Sequence, residues 1–178
     1  MSDSKRVRVV IPFAVGIFTS AYLLFQVQPM IARHILPWYG GSPAVWTTCM
    51  LFFQVSLLAG YFYAHLLVKW LQPRPQVMLH LTILGLSLFT LPITPEEIWK
   101  PSGSGNPTLG ILLLLTGSIG FPYLMISASG PLLQYWFSHA SLGRSPYRLY
   151  ALSNLGSLLG LILYPFVVEP GPYSAGAE

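Results

Sequence analysis

Two histidines stand where they could bind a cofactor between apolar segments. His65 and His80 flank a short loop that contains Gln72 and Pro73, so both lie at a similar depth if the segments around them cross a membrane. Imidazoles from two neighbouring helices can hold a haem iron axially. The chain carries no haem-attachment sequence, and histidines that only pack helices would have the same spacing. His65 and His80 are therefore weak candidates for cofactor binding. No cofactor is predicted, and contact with a haem, a pigment or a quinone stays open.

Polar side chains recur at seven-residue intervals in the first two apolar segments. The members of this polar face are Gln26 and Arg33 in the first segment and Gln54 and Tyr61 in the second, with Thr19, Thr47 and His65 on the same faces. Residues seven apart lie almost two helical turns apart and share a face. Such stripes indicate hydrogen bonds between packed helices. The alternative is a polar pocket or an ion path, since polar groups inside a membrane are often functional.

A third pattern consists of small residues in the last apolar segment. Ser153, Gly156, Ser157 and Gly160 form a GxxxG motif with an overlapping pair of serines. Small residues at this spacing let a second helix approach closely. The pattern predicts a helix-packing surface, and we expect another membrane subunit to cover it because few helices of this chain are available to do so.

Five apolar stretches must position these residues. They are Val9–Met30, Ala44–Val68, Val77–Leu91, Leu109–Leu133 and Leu149–Val168. About 20 apolar residues cross a hydrocarbon core of about 30 Å, and the shorter third stretch can reach with its flanks. The sequence therefore predicts an all-α, multi-pass membrane protein with five transmembrane helices in a single domain over 1–178.

Prolines inside these stretches indicate irregular helix geometry. Pro29, Pro122, Pro131 and Pro165 each remove a backbone donor. Neighbouring helices can satisfy the freed carbonyls, which gives a packing kink. The alternative is a broken helix that lines a cavity, which we expect first at Gly120–Pro122 and Ser127–Pro131.

The basic residues predict the orientation of the chain. With the N-terminus in the cytoplasm, seven of the nine basic residues lie inside and two, Arg33 and Lys100, lie outside. The inside group is Lys5, Arg6, Arg8, Lys69, Arg74, Arg144 and Arg148. This bias follows the positive-inside rule. We expect a cytoplasmic N-terminus, an outside C-terminus and a location in a bacterial cytoplasmic membrane.

The N-terminal segment also resembles a secretory signal. Basic residues at Lys5–Arg8 precede the apolar run Val9–Phe18, and Thr19–Ala21 offers small residues at a cleavage spacing. Apolar character continues to Phe25, however. We therefore expect a retained first span.

Composition excludes several functional classes. Of 178 residues, 53% are hydrophobic and 8% are charged, and the net charge of +4 comes with no basic patch interleaved with aromatics. The sequence contains no glycine-rich nucleotide loop, no clustered carboxylates and no metal-ligand spacing, and the adjacent Glu96 and Glu97 are interpreted as part of a solvated outer loop. The lone Cys49 excludes a disulfide within the chain. These features predict no nucleic-acid binding, no metal site and no catalysis.

Several strings resemble the membrane half of bacterial spermidine synthase-like proteins. They are Phe25–Ile31, Leu36–Trp46, Cys49–Gln54, Gly60–His65 and Gly143–Asn154. The resemblance runs from about Phe18 to Pro170 and implies a transporter-like membrane region of the kind fused to an aminopropyltransferase-like domain. The catalytic aspartates and cofactor-binding glycines of that domain have no counterpart here. The resemblance therefore names a lineage and assigns no active-site residue.

These patterns lead to two functional hypotheses. The first is a non-catalytic structural or accessory subunit that contacts lipids and other membrane subunits. The second is a small-molecule or ion-binding subunit that uses the polar face of the first two spans.

Overall fold

The computed structural model describes residues 3–93, 95, 100, 106–140 and 147–168, and in these ranges the regular structure is helical. The α-helices are α1 (Asp3–Tyr39), α2 (Pro43–Trp70), α3 (Pro73–Ser87), α4 (Pro107–Leu115), α5 (Phe121–Ala140) and α6 (Tyr147–Leu163). A 3₁₀ turn, Leu88–Thr90, follows α3, and π-helical segments follow α4 (Thr116–Gly120) and α6 (Tyr164–Val168). The predicted all-α fold is confirmed.

Four helices in the described part of the chain are long and apolar enough to cross a membrane. They are Val9–Tyr39, Pro43–Trp70, Pro107–Ala140 and Tyr147–Val167. The remaining predicted span forms α3, whose 15 residues cover only about 22 Å at 1.5 Å per residue. The 3₁₀ turn adds about 6 Å. This segment therefore reaches a membrane's thickness only with its flanks.

Local sequence explains where the helices begin and end. Gly40 ends α1 in the left-handed region, at φ 73°, where glycine carries no steric penalty. Proline occupies the first turn of α2, α3 and α4, where its missing N–H costs no helical hydrogen bond. Asn106 caps α4 by accepting a 3.0 Å hydrogen bond from the Thr108 backbone N–H.

Both π-helical segments lie beside prolines. Thr116–Gly120 ends two residues before Pro122, and Tyr164–Val168 contains Pro165. A proline leaves the carbonyl four residues earlier without its helical donor, and a π turn is one way to accommodate the change. The chain thus continues as one helix from Pro107 to Ala140. Pro131 lies inside α5, which continues through it.

The helices group into two compact units, and the prediction of a single domain stays a prediction. Unit one comprises Met1–Met30 with Leu133–Glu178, and unit two comprises Ile31–Leu132. The core of unit one forms around Ile17, Phe137 and Leu149. Phe13 packs edge-on against Phe137 at 5.6 Å between ring centroids. Aromatic pairs in this arrangement add stability beyond the area they bury.

Unit two joins the last turns of α1 to α2, α3, α4 and the first part of α5. Phe53 of α2 packs on the buried Tyr123 of α5, with ring centroids 5.1 Å apart. At Gly60, α2 comes so close to α5 that an added methyl group would collide with Ser127 and lie 2.9 Å from the Leu124 carbonyl oxygen. A side chain at position 60 would therefore force these helices apart.

Helix α3 is polar on its buried side and apolar on its exposed side. Its buried residues are Gln76, His80 and Ser87, whereas Met78 is 72% exposed and Leu81 55% exposed. In water this arrangement would desolvate polar groups and hydrate apolar ones. In a bilayer the exposed side meets hydrocarbon, and the polar groups find partners inside the protein.

Candidate functional site

The most developed polar contact in the described interior joins α3 to α5. His80 is 2% exposed, and its Nε2 lies 3.1 Å from the Ser129 hydroxyl. The Ser129 hydroxyl also donates to the Met125 carbonyl at 3.0 Å, which uses its single hydrogen. The Nε2–H of His80 therefore donates to Ser129, and this network assigns the imidazole tautomer.

Tyr63 brings a third helix, α2, to this contact. Its ring centroid lies 6.0 Å from that of His80. The side chain is half-buried, and its buried hydroxyl has no hydrogen-bond partner among the described residues. The Tyr63 hydroxyl is therefore a hydrogen-bond donor that the described contacts leave unused. We call Tyr63, His80 and Ser129 the polar centre.

Gln76 fixes the start of the helix that carries His80. The side chain is fully buried, and its Nε2 donates a 2.8 Å hydrogen bond to the Leu71 carbonyl. Leu71 is the C-terminal capping residue of α2, so this bond joins the end of α2 to the first turn of α3. It satisfies a carbonyl that α2 leaves without a helical partner.

The structure does not bring His65 and His80 together as a cofactor-binding pair. His65 is exposed and lies two residues beyond Tyr63, about 200° further around α2. Because Tyr63 faces His80, His65 points away from it. Within the described ranges, no group of three or more His, Cys, Asp or Glu side chains is placed to hold a metal ion.

The predicted polar face is also divided. Gln54 and Tyr61 are exposed, because α2 buries a different set of residues, including Phe53, Gly60 and Ala64. Gln26 is 7% exposed, and neither atom of its amide has a hydrogen-bond partner in the described structure. Gln26 is therefore the buried member of the predicted face, whereas Gln54 and Tyr61 lie on the exposed side of α2.

Arg33, the other member of the predicted face, lies near the end of α1. Its side chain is exposed. A long basic side chain at the end of a span can reach the headgroup region while its stem covers apolar surface. Arg33 is thus an exposed residue near the end of α1, whereas Gln26 of the same helix is buried.

The small residues of α6 pack against α1 of the same chain. A methyl group on Gly156 would lie 2.6 Å from the Phe18 carbonyl oxygen, and one on Gly160 would lie 2.7 Å from the Tyr22 carbonyl oxygen. Ser157 donates its hydroxyl to the Ser153 carbonyl at 3.1 Å, and both serines are half-buried. We expected another subunit to cover this surface. The structure corrects that expectation, because α1 already covers it.

Sequence reasoning identified His80 but missed Ser129 and Tyr63 as its neighbours. The hydrogen bond spans 49 positions of the chain, so no local spacing indicates it. The sequence predicts irregular backbone at Ser127–Pro131, and Ser129 lies within this segment. Its relation to His80 depends on how α3 packs, which sequence spacing does not determine.

Comparison of the chain with protein-family models, with curated proteins and with solved structures finds no match.

Proposed function

We propose that this chain is a non-catalytic integral membrane protein that serves as a structural or accessory subunit of a larger membrane assembly. The observation that carries the proposal is the surface of α6. Only 11% of its apolar segment is buried, against 28% or more in the other three candidate spans. Its outward residues include Leu155, Leu158, Leu161 and Ile162, each about half exposed. This face, on the side away from the small residues, is available to a neighbouring subunit.

The hydrogen bonds inside the helices support a packing role. Buried hydroxyls of Ser20, Thr48 and Ser127 donate to carbonyls of their own helices at 2.8–3.1 Å. A hydroxyl engaged in this way satisfies itself locally and lets helices pack closely. These hydroxyls lie outside the polar centre. Their hydrogen bonds to their own helices favour a role in helix packing over a role in ligand binding.

Lineage and orientation are part of the same proposal. The resemblance to the membrane half of spermidine synthase-like proteins supports a bacterial cytoplasmic membrane, and the distribution of the basic residues supports an N-terminus inside. The Lys100 ammonium lies 5.5 Å from the Trp38 ring centroid, so the chain after α3 returns to the end of the bundle where α1 meets α2. This contact supports the placement of Arg33 and Lys100 on one side, as the positive-inside rule requires.

The test is isolation of the tagged chain in native lipid nanodiscs from its own host, followed by native mass spectrometry. We expect partner subunits at a fixed stoichiometry. Leu158→Trp with Ile162→Trp should remove them, because both positions lie one turn apart on the outward face of α6. Leu58→Trp, on the exposed side of α2, is the matched control and should retain them. A wild-type chain without protein partners, or equal retention by both variants, contradicts the proposal.

A second function, binding of a small molecule, is favoured by the polar centre. The Tyr63 ring lies 6.0 Å from the His80 ring, and the buried Tyr63 hydroxyl donates to no described residue. A quinone carbonyl is an acceptor of the required kind, so a short-chain quinone is a suitable probe. Tyr63→Phe should weaken quinone binding about tenfold, as expected for a lost hydrogen bond of about 1.4 kcal/mol. Tyr61→Phe, two residues away and exposed, should not. Equal binding by the two variants excludes this function.

A further inference from the structure

The chain passes between its two compact units at two places, and each place follows a proline. Met30 ends the first segment of unit one, and Pro29 comes directly before it. Leu132 ends unit two, and Pro131 comes directly before it. Helices α1 and α5 continue through these positions as uninterrupted α-helix. The units are therefore connected by two helices, and each helix has a proline at the point of passage.

A proline inside a helix makes the helix easier to bend at that point. It has no backbone N–H to donate, and its ring crowds the carbonyl four residues earlier. These carbonyls belong to Phe25 in α1 and to Ser127 in α5. Sharp bends in helices occur mainly at prolines, because the helix lacks a hydrogen bond there. Both passages between the units therefore lie where their helices resist bending least.

Other prolines in the helices differ from these two. Pro122 and Pro165 lie beside π segments, whereas Pro29 and Pro131 lie within uninterrupted α-helix. Pro12 also belongs to α1, but it lies well inside unit one. Among these five prolines, only Pro29 and Pro131 remove a helical hydrogen bond where the chain passes from one unit to the other.

Contacts on both sides of the passage in α5 hold that helix within its own units. Before the passage, Ser129 accepts the 3.1 Å hydrogen bond from His80. After the passage, Leu133 packs against the core of unit one. Between them, a methyl group on Gly130 would meet no atom within 4 Å, so the space around this residue is open. A change in the bend of α5 is therefore confined to residues 130–132.

We propose that Pro29 and Pro131 form a paired hinge, about which the two units change orientation while each keeps its own core. The chain connects the units only at these two passages, and both carry a proline. The polar centre belongs to unit two, and α6 belongs to unit one. The hinge therefore moves the outward face of α6 while the hydrogen bond between His80 and Ser129 stays intact. The motion does not depend on whether α6 binds another subunit.

Double electron–electron resonance measures the distances that a hinge changes. The test uses the full chain in lipid nanodiscs, with Cys49→Ala to remove the native thiol and a nitroxide label on each of two introduced cysteines. The pair within unit one is Ile11 and Phe166, and the pair within unit two is Leu51 and Met78. The pair between the units is Ile11 and Met78. All four positions are more than half exposed, so the labels do not disturb a core.

The expected result is a wide distance distribution between the units and a narrow one within each unit. Ile11 lies about 27 Å from Pro29 along α1, so a change of about 10° in the bend there moves Ile11 by about 5 Å. We expect the distribution between Ile11 and Met78 to be wider than both within-unit distributions by about 5 Å. If the three widths are equal, the units move as one body and the proposal is wrong.

Replacement of both prolines tests whether they form the hinge. Pro29→Ala with Pro131→Ala restores a backbone donor in each helix and should narrow the distribution between the units to the within-unit widths. Pro12→Ala is the matched control, because Pro12 is exposed and lies in α1 inside unit one. It should leave the distribution unchanged. An unchanged width in the double variant, or an equal narrowing by Pro12→Ala, overturns the proposal.

A glycine variant decides the matter if the proline variants fail to fold. Gly130→Ala introduces no collision, and alanine favours the regular helix over glycine. It should lower the population of the less common distances about fivefold, which corresponds to about 1 kcal/mol. Gly85→Ala is equally free of contacts, lies in α3 inside unit two, and should leave that population unchanged. If Gly130→Ala keeps the original distribution, or if both glycine variants change it equally, the proposal is wrong.

Discussion

Replacement of Gly156 by alanine tests the packing of α6 on α1 most directly. The added methyl group would lie 2.6 Å from the Phe18 carbonyl oxygen and 3.3 Å from the Ala21 Cβ, whereas ordinary contacts begin at 3.4 Å. The two helices must therefore separate by about 0.8 Å. The oxygen belongs to the backbone, so no side-chain rotation relieves the collision. Overpacking of this kind costs about 1–3 kcal/mol.

Gly85→Ala measures the effect of alanine itself. Gly85 also lies inside a helix, α3, and an added methyl group meets no atom within 4 Å. Alanine is favoured over glycine in a helix by about 1 kcal/mol. The difference in unfolding free energy between Gly156→Ala and Gly85→Ala therefore isolates the collision, and we expect about 1–3 kcal/mol. The double variant with Gly160→Ala should cost less than the sum of the single variants, because one displacement relieves both contacts.

Unfolding by sodium dodecyl sulfate in mixed micelles, followed by far-UV circular dichroism, gives these free energies. If Gly156→Ala stabilises the chain as much as Gly85→Ala, then α6 does not pack on α1 through its small residues. That result would indicate that another subunit covers this surface, as we expected from the sequence alone.

Three further predictions concern the interior and the orientation. Gln26→Leu should stabilise the chain by about 1–2 kcal/mol in the same unfolding assay, since it removes a buried amide that has no described partner; destabilisation would reveal a partner. Ser129→Ala should cost about 1–3 kcal/mol by leaving the His80 Nε2–H without an acceptor. Adding His80→Leu to Ser129→Ala should restore most of that loss, and an additive double variant would contradict the hydrogen bond. Cysteines placed at Glu97 and Arg74 should react with an impermeant maleimide from outside and inside, respectively, and the reverse pattern would contradict the charge argument.

The fold was predictable because the spans are read from composition and length. The sequence did not predict which face of each span is buried. A membrane helix is apolar toward lipid as well as toward the protein, so hydrophobic periodicity does not separate the two sides. On α2, Tyr61 is exposed and Gly60 is buried, although the sequence made the former look functional. On α3 the polar residue His80 marks the buried face.

The candidate site was predictable only in part, for the same reason. His80 stood out as a polar residue in an apolar segment. Its contacts with Ser129 and Tyr63 depend on long-range packing that seven-residue spacing does not encode. The GxxxG motif correctly indicated a close approach of helices. It did not reveal that the neighbouring helix is α1.

The π segment Thr116–Gly120 has a consequence for how the chain can change in length. A π turn contains one residue more than an α-helical turn. Residues after the π segment of the helix Pro107–Ala140 therefore face the directions that residues numbered one lower would face in a regular α-helix. Deletion of one residue within 116–120 can be absorbed by a return to ordinary α-helix, with Ile111 and Ala128 keeping their buried faces. The same deletion beside Leu132 would turn every later side chain by about 100°. The helix thus contains a built-in position where its length can vary without loss of its packing.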